Sequence, residues 1–153
     1  MKLFNVFRVL VLIPVAAILI SCVGIFAKAE RGTVPDLLSS EWALTYISSM
    51  QLNTDYRPTL MLTEDLTASG WTGCNRYSSG VELPAEGDLV FTTIVTTKRA
   101  CLNKAMKSED AYLAALSSVD KWSINRNTLR LMDKDGITLL RFKRFGASPG
   151  PNI

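Results

Sequence analysis

Residues 88–119 read DLVFTTIVTTKRACLNKAMKSEDAYLAALSSV and combine the two kinds of secondary structure from which the fold is built. The first part, Asp88–Thr97, is rich in β-branched residues, which favour a strand. With a period of two, one face of this strand carries Leu89, Phe91, Thr93 and Val95, and the other carries Val90, Thr92 and Ile94. We therefore predict that this segment is a strand of the central sheet.

The second part, Ala105–Val119, has the composition of a helix, because alanine, leucine, methionine, lysine and glutamate are strong helix formers. Its larger apolar residues share one helical face: Tyr112, Leu113, Leu116 and Val119. Ser108, Glu109 and Asp110 suit a first turn, where acidic groups oppose the positive end of the helix dipole. This pattern predicts one amphipathic helix.

Further strands are indicated on both sides of this unit by alternating or β-branched residues. The segments are Glu41–Ile47, Thr59–Thr63, Leu66–Thr72, 122–124, 129–131 and Ile137–Arg144. Residues 73–87 are rich in glycine and serine, which predicts a loop with a short edge strand near Val81. We expect an α+β fold in which a curved antiparallel sheet of about seven strands wraps around the helix, because this arrangement buries both apolar faces.

The first 21 residues have the pattern of an export signal, with Lys2 and Arg8 before an apolar run that extends from Val9 to Ile20. Residues 19–22, Leu-Ile-Ser-Cys, resemble a bacterial lipobox, which would make Cys22 the lipidated first residue of the mature chain. Two alternatives stay open. Residues 27–29, Ala-Lys-Ala, offer an ordinary cleavage site, and the apolar run through Phe26 could serve as an uncleaved anchor.

The remaining boundaries follow from composition. Residues 22–38 mix small, charged and turn-forming types, so we predict a tether between the membrane and the domain. The folded domain is predicted over residues 39–145. Residues 146–153 contain two prolines, two glycines and one serine, and are predicted to be a disordered tail.

The chain contains three cysteines, an odd number for an exported protein. Lipidation of Cys22 would leave Cys74 and Cys101 as a pair in an oxidising compartment, where a disulfide can form and persist. Two alternatives remain for this pair. They could be buried free thiols, or they could contribute to a metal site, although two thiolates without histidine make a poor zinc cage.

Composition excludes several classes of function. The chain has no histidine, so mechanisms that use a histidine base or ligand are closed to it. The chain beyond the signal segment contains 15 of the 17 basic residues and all 14 acidic ones. Its net charge is therefore too close to zero for binding to a nucleic-acid backbone. The sequence indicates no cofactor, no metal site and no nucleic-acid partner.

Two short motifs resemble the signatures of the META domain family, whose bacterial members include a heat-shock lipoprotein. They are residues 73–78, Gly-Cys-Asn-Arg-Tyr-Ser, and residues 96–101, Thr-Thr-Lys-Arg-Ala-Cys. The resemblance extends over about residues 40–143 and departs from the family where Arg99 replaces an apolar residue. It implies an α+β fold, no established catalytic activity, and a role in envelope stress or drug tolerance.

Three functional hypotheses follow. The first is a non-catalytic binding or chaperone-like module in the cell envelope, which engages an envelope protein or an apolar ligand through the open end of the sheet. The second is a small enzyme that acts on an anionic ligand, with Asn75, Arg76, Lys98 and Arg99 as candidate binding residues. No carboxylate accompanies these residues in either motif, so no catalytic residue is assigned. The third is a structural envelope protein. Each places the domain on the periplasmic side of a membrane, with the outer membrane preferred.

Overall fold

The computed structural model describes residues 32–38 and 40–145 of the chain. The predicted signal segment 1–21, the lipidation site Cys22 and the predicted tail 146–153 lie outside these residues. The α-helices of the described part are α1 (Val34–Leu38) and α2 (Asn103–Leu116), and a 3-10 helix spans Thr54–Tyr56. Its strands are β1 (Glu41–Ile47), β2 (Thr59–Leu62), β3 (Thr67–Trp71), β4 (Arg76–Glu82), β5 (Val90–Thr96), β6 (Lys121–Asn125), β7 (Thr128–Met132) and β8 (Thr138–Arg144).

The eight strands form one sheet in the order β5-β4-β3-β2-β1-β8-β7-β6. Every neighbouring pair is antiparallel, and the sheet curls into a half-barrel that holds helix α2. The predicted α+β class and the antiparallel curved sheet are therefore confirmed. The sheet has one strand more than the seven expected from the sequence, because β4 was not predicted as a full strand.

Strand β4 occupies the segment that the sequence analysis assigned mainly to a loop. It pairs with β3 on one side and β5 on the other, so it is not an edge strand. Tyr77, Ser79 and Val81 point inward and are buried, while Gly80 is exposed. The alternation expected of a half-buried strand is present, but serine and glycine stand at positions where a β-branched residue would have revealed it.

Strand β5 lies where a strand was predicted, but its faces differ from the expected ones. The pairing of β4 with β5 shifts register between Ser79 and Val81, and this bulge places an extra residue in β5. Phe91 points inward before the bulge, and Ile94 packs against the core after it. Val95, predicted to share the face of Phe91, is 58% exposed.

The two outermost strands meet at one end of the sheet. Asp88, just before β5, forms an antiparallel bridge with Lys121 at the start of β6. The amide of Leu89 donates to the carbonyl of Asp120 at 3.0 Å. These contacts draw β5 and β6 together over a few residues, so the half-barrel is nearly closed at this end.

Helix α2 packs with one face against the inner side of the sheet. It begins at Asn103, before the predicted start at Ala105, and ends before Val119, which is buried just beyond it. Tyr112 is completely buried, and its ring makes edge contacts with Tyr77 and Phe142, at centroid distances of 5.7 and 6.4 Å. The helix thus joins opposite halves of the curled sheet.

Two tyrosine hydroxyls meet inside this core. The hydroxyls of Tyr77 and Tyr112 are 2.9 Å apart, and they lie 3.0 and 3.2 Å from the carbonyl oxygen of Thr59. Gly70 is required beside them, because a Cβ there would lie 2.1 Å from that carbonyl oxygen. Burial raises the pKa of both phenols well above the usual value of a tyrosine.

The predicted tether of residues 22–38 overlaps the folded unit. Helix α1 lies in its last five residues, and Leu37 is completely buried. The indole nitrogen of Trp42 donates to the carbonyl of Leu37 at 3.4 Å. Hydrogen bonds from the amide and hydroxyl of Thr33 lower the pKa of Asp36, and the nearby Arg144 lowers it further. The fold therefore begins before residue 39.

Among the residues that the structure describes, the buried core extends from Leu37 to Phe142. The described strands of the sheet and helix α2 lie between Glu41 and Arg144. The described part of the chain therefore has a hydrophobic core of its own, which is what allows a domain to fold by itself.

Candidate functional site

The two predicted motifs meet at a disulfide. Cys74 lies in the turn between β3 and β4, and Cys101 lies in the loop between β5 and α2. Their sulfur atoms are bonded, with a distance of 6.0 Å between the Cα atoms. The predicted pairing is therefore present, and the alternatives of two free thiols or a metal site at these residues are wrong.

Asn75, next to the disulfide, is buried and holds the two motifs together through its side-chain amide. Its oxygen accepts hydrogen bonds from the amide of Arg99 at 2.8 Å and from the hydroxyl of Thr97 at 2.9 Å. Its nitrogen donates to Glu109 at 3.0 Å and lies 3.3 Å from the sulfur of Cys74. Both acceptor positions and one donor are thus used within the protein.

Helix α2 contributes Glu109 to this cluster. One carboxylate oxygen accepts from the backbone amide of Asn75 at 3.0 Å and is hydrogen-bonded to the hydroxyl of Thr72. The other accepts from the side chain of Asn75 at 3.0 Å. Since Thr72 and Asn75 are buried and Glu109 is half-buried, we refer to these three residues as the polar cluster.

The sequence analysis missed the role of Glu109, because it assigned this residue to the first turn of the helix. The helix begins at Asn103, so Glu109 lies in the second turn and reaches the β3–β4 turn. The sequence did contain an indication that Glu109 has a partner inside the fold. Glu109 precedes Tyr112 by three residues, which places both on the same helical face, and an acidic residue on a buried face requires a partner.

The hydrogen bonds of the polar cluster hold the backbone of both motifs in place, so the cluster has a structural role. The hydroxyl of Thr72 accepts from the amides of Cys74 and Asn75, at 3.2 and 2.8 Å. The carboxylate of Glu109 accepts hydrogen bonds from the backbone amide and from the side-chain amide of Asn75. A carboxylate held in this way serves as an acceptor that fixes a turn, as charged acceptors do for backbone donors elsewhere.

The three predicted cationic residues differ from Asn75. Arg76, Lys98 and Arg99 are all exposed. The structure brings their backbones together, since the amide of Arg76 donates to the hydroxyl of Thr97 at 3.2 Å, but none of the three forms an ion pair with another described residue. Of the four candidate binding residues, the structure therefore uses Asn75 internally and leaves the cations available at the surface.

Two further observations concern this part of the chain. In residues 32–38 and 40–145, no group of three or more acidic or cysteine side chains is arranged to hold a metal ion. Neither α1 nor α2 is long and apolar enough to cross a membrane.

The chain is similar to solved structures of other proteins. A structure of a protein from Burkholderia xenovorans, determined by NMR, is 28% identical, has a TM-score of 0.58, and is matched over 72% of this chain and 85% of its own. A crystal structure of a DUF4847 family protein from Bacteroides vulgatus is 12% identical, with a TM-score of 0.57, and is matched over 76% of this chain and 100% of its own. The latter likeness concerns the fold alone. No curated protein matches the chain.

The family match covers nearly all of the described residues. The model of the META domain matches residues 35–145, which include all of α1 except its first residue, all the strands of the sheet and the polar cluster. By this match, the chain belongs to the META domain family.

Proposed function

We propose that this chain is an exported META-domain protein, lipid-anchored at Cys22 on the periplasmic side of the bacterial cell envelope, with the outer membrane as its preferred site. Its domain acts as a non-catalytic binding or chaperone-like module in stress response or drug tolerance. It requires no cofactor. Its partners are the membrane, through the anchor, and an envelope protein or apolar ligand.

The disulfide is the observation that carries the proposal. Cys74 and Cys101 are bonded to each other, and such bonds persist in oxidising compartments outside the cytosol. Cys22 is the remaining one of the three cysteines in the sequence, and it is the last residue of the lipobox-like segment. Export and lipidation together account for all three cysteines.

The polar cluster supports a non-catalytic role. The amide oxygen of Asn75 and the carboxylate of Glu109 are engaged by groups of the protein itself. A catalytic acid or base must instead reach a group on its substrate. Removal of these contacts is therefore expected to affect folding before it affects any activity.

Exposed apolar side chains beside the disulfide support a binding role. Leu102, directly after Cys101, is 70% exposed, and Met106 in the first turns of α2 is 45% exposed. Methionine adapts well to varied apolar surfaces. Lys98 and Arg99 lie in the same loop, so this surface combines apolar contact with positive charge. It suits an apolar segment of a partner that also carries acidic residues.

The anchor is tested by an intact-mass spectrum of protein extracted from membranes, recorded with and without reduction. We expect a chain that begins at acylated Cys22 and gains two hydrogens on reduction. A Cys22→Ser variant serves as the control and is expected to lose both the acyl mass and the membrane association. A mass that begins at Glu30, or alkylation of Cys74 and Cys101 without reduction, would contradict the proposal.

The binding role is tested with the chain from residue 30 to residue 153, which contains all of the residues that the structure describes. We expect it to retain a fluorescent apolar probe or an apolar peptide. The double variant Leu102→Ser/Met106→Ser should bind the probe several-fold more weakly. Met61→Ser is a matched control, since Met61 is 42% exposed on β2. Absence of binding, or equal loss in the control, counts against the module.

A further inference from the structure

The outer surface of β7 and β8 carries an unusual set of side chains. Inward-facing residues of β8 alternate with Arg141 and Lys143, which point outward and are exposed, and Phe145, directly after the strand, is exposed as well. Arg130 on β7 and Tyr46 on β1 belong to the same outer surface. We call Tyr46, Arg130, Arg141, Lys143 and Phe145 the basic face.

Like charges stand directly opposite each other on this face. The register of β7 and β8 pairs Arg130 with Arg141. Such pairs destabilise an antiparallel sheet, because the two side chains lie close together on one surface. The other residues paired with these cations on neighbouring strands are uncharged. Ser123 is opposite Arg130, Tyr46 is opposite Arg141, and Ala43 and Thr128 lie on either side of Lys143.

None of these three cations forms an ion pair with a carboxylate in the part of the chain that the structure describes. The one ion pair among residues 32–38 and 40–145 joins Arg144 to Asp36, at 3.8 Å. Arg130, Arg141 and Lys143 take no part in it. Three positive charges are therefore concentrated on two neighbouring strands and exposed to an external partner.

Aromatic rings accompany the charges. The guanidinium of Arg141 lies 4.9 Å from the centre of the ring of Tyr46, which is 38% exposed. Phe145, at the end of β8, is 64% exposed. Lysine and arginine bind the anionic surface of a bilayer, and aromatic rings occupy its interface with water. The basic face combines both.

The chain also enters the domain at this end of the sheet. The ion pair between Asp36 and Arg144 places α1 beside Arg144, the last residue of β8. If Cys22 is anchored, the residues that separate it from Gly32 can span at most about 35 Å. This argument rests on the proposed function, and it brings the basic face within reach of the membrane.

We propose that the basic face docks on the anionic headgroup surface of the lipid bilayer. Arg130, Arg141 and Lys143 contact lipid phosphates, and Tyr46 and Phe145 enter the interfacial layer. The anchor at Cys22 holds the domain near the membrane, and the basic face sets its orientation. The opposite side, with Leu102 and Met106, is then free for a protein partner.

The test uses the chain of residues 30–153, without the anchor, in a flotation assay with vesicles. We expect binding to vesicles that contain phosphatidylglycerol, weaker binding to pure phosphatidylcholine, and a marked loss when salt is raised, because charges at a bilayer are screened. The variant Arg141→Glu/Lys143→Glu should bind anionic vesicles at least about tenfold more weakly, since each basic residue contributes about fivefold. Phe145→Ala should lose about twofold to fivefold, from a smaller apolar contact.

The matched control is Lys104→Glu/Lys107→Glu on the exposed side of α2, which changes the net charge by the same amount. We expect it to bind vesicles within twofold of the unchanged chain. Equal loss in both variants would show a general charge effect and overturn the proposal. Binding to duplex DNA but not to vesicles would assign the face to nucleic acid instead, and failure to bind anionic vesicles would also overturn it.

The outcome can be separated from that of the proposed function. Acylation of Cys22 is read from the mass of the full chain, and docking is read from the chain that lacks Cys22. If the full chain is acylated but the domain does not bind anionic vesicles, the anchor is supported and docking by the basic face is contradicted. If the domain binds such vesicles but the full chain is not acylated, docking is supported and the anchor is contradicted.

Discussion

The polar cluster and the basic face use charged and polar residues in opposite ways. In the cluster, Asn75 and Glu109 are satisfied by each other and by the backbone of the two motifs. On the basic face, Arg130 and Arg141 are paired across the sheet with the same charge and have no acidic partner among the described residues. The cluster lies between the β3–β4 turn and helix α2, whereas the basic face lies on the outer side of β7 and β8.

The difference indicates which region serves the fold and which serves a partner. Buried polar groups are costly unless they are hydrogen-bonded, so the cluster must be complete for the domain to be stable. Exposed like charges cost little, and their cost is offset only when something outside the protein binds them. Substitutions in the cluster should therefore lower stability, whereas substitutions on the basic face should lower binding and not stability.

The largest effect is expected at the disulfide. Cys74 and Cys101 enclose a loop with a sequence separation of 27, so the double variant Cys74→Ala/Cys101→Ala should lower the free energy of unfolding by about 3.5 kcal/mol. Denaturation in guanidinium chloride measures this change relative to the oxidised, unchanged chain. The unchanged chain under reducing conditions, which also lacks the bond, should show a similar loss. A loss below about 1 kcal/mol would mean that the polar cluster fixes both motifs without the bond.

A smaller loss is expected for Asn75→Ala. This variant removes the acceptor of the Arg99 amide and a donor to Glu109, and a buried group left without a partner costs about 1–3 kcal/mol. Arg76→Ala is the control, because Arg76 is adjacent and exposed, and it should change stability by less than about 0.5 kcal/mol. Urea denaturation compares the two. Equal effects would remove the distinction between the cluster and its exposed neighbours.

The tyrosine pair extends the comparison to neutral polar groups. Tyr112→Phe removes one hydroxyl from the contact with Tyr77 and Thr59 and should cost about 1 kcal/mol in unfolding free energy. Thermal or urea denaturation at neutral pH measures it. Tyr56→Phe is a suitable control on the 3-10 helix. An unchanged stability would show that the remaining hydroxyl satisfies the carbonyl of Thr59 alone.

The same pair predicts a pH dependence. Burial raises the pKa of Tyr77 and Tyr112 in the folded state, so the unfolded chain loses these protons first. Stability from this source is fully present below the unfolded pKa of about 10 and is lost as the pH rises above it. Alkaline unfolding followed by circular dichroism should be less steep in Tyr77→Phe/Tyr112→Phe. An identical pH profile would contradict the assignment.

The smallest effect has the opposite sign. Arg130→Glu replaces a like-charge pair with an opposite-charge pair across β7 and β8, and should raise the free energy of unfolding by about 0.5 kcal/mol. Lys104→Glu on α2, away from the sheet, serves as the control. Denaturation at low salt resolves the difference. A variant that is both less stable and unable to bind vesicles would identify Arg130 as a structural residue, and the contrast between the two regions would be lost.

The sequence predicted elements well where their pattern was uninterrupted. Strand β1 has the predicted bounds Glu41–Ile47, and Trp42 and Leu44 share its buried face as their alternation predicts. Tyr46 was expected on the same face, but a bulge after Leu44 places it on the outer surface. Strand β4 was predicted only as a short edge strand near Val81, since its inward positions include Ser79 and it contains Gly80, residues that also suit a loop. The inward and outward faces of β5 were predicted incorrectly because of the bulge. The bulge depends on the pairing with the partner strand, and the residues of Asp88–Thr97 do not indicate it.

The sequence by itself determined the α+β class, the antiparallel sheet and the amphipathic helix, and it made Cys74 and Cys101 the expected disulfide pair. These depend on local periodicity and on the count of cysteines, which are properties of the chain. Tertiary structure alone decided that Glu109 meets Asn75 and that Arg130 stands opposite Arg141. Such contacts join residues far apart in the chain, and their register is fixed only when the sheet curls around the helix.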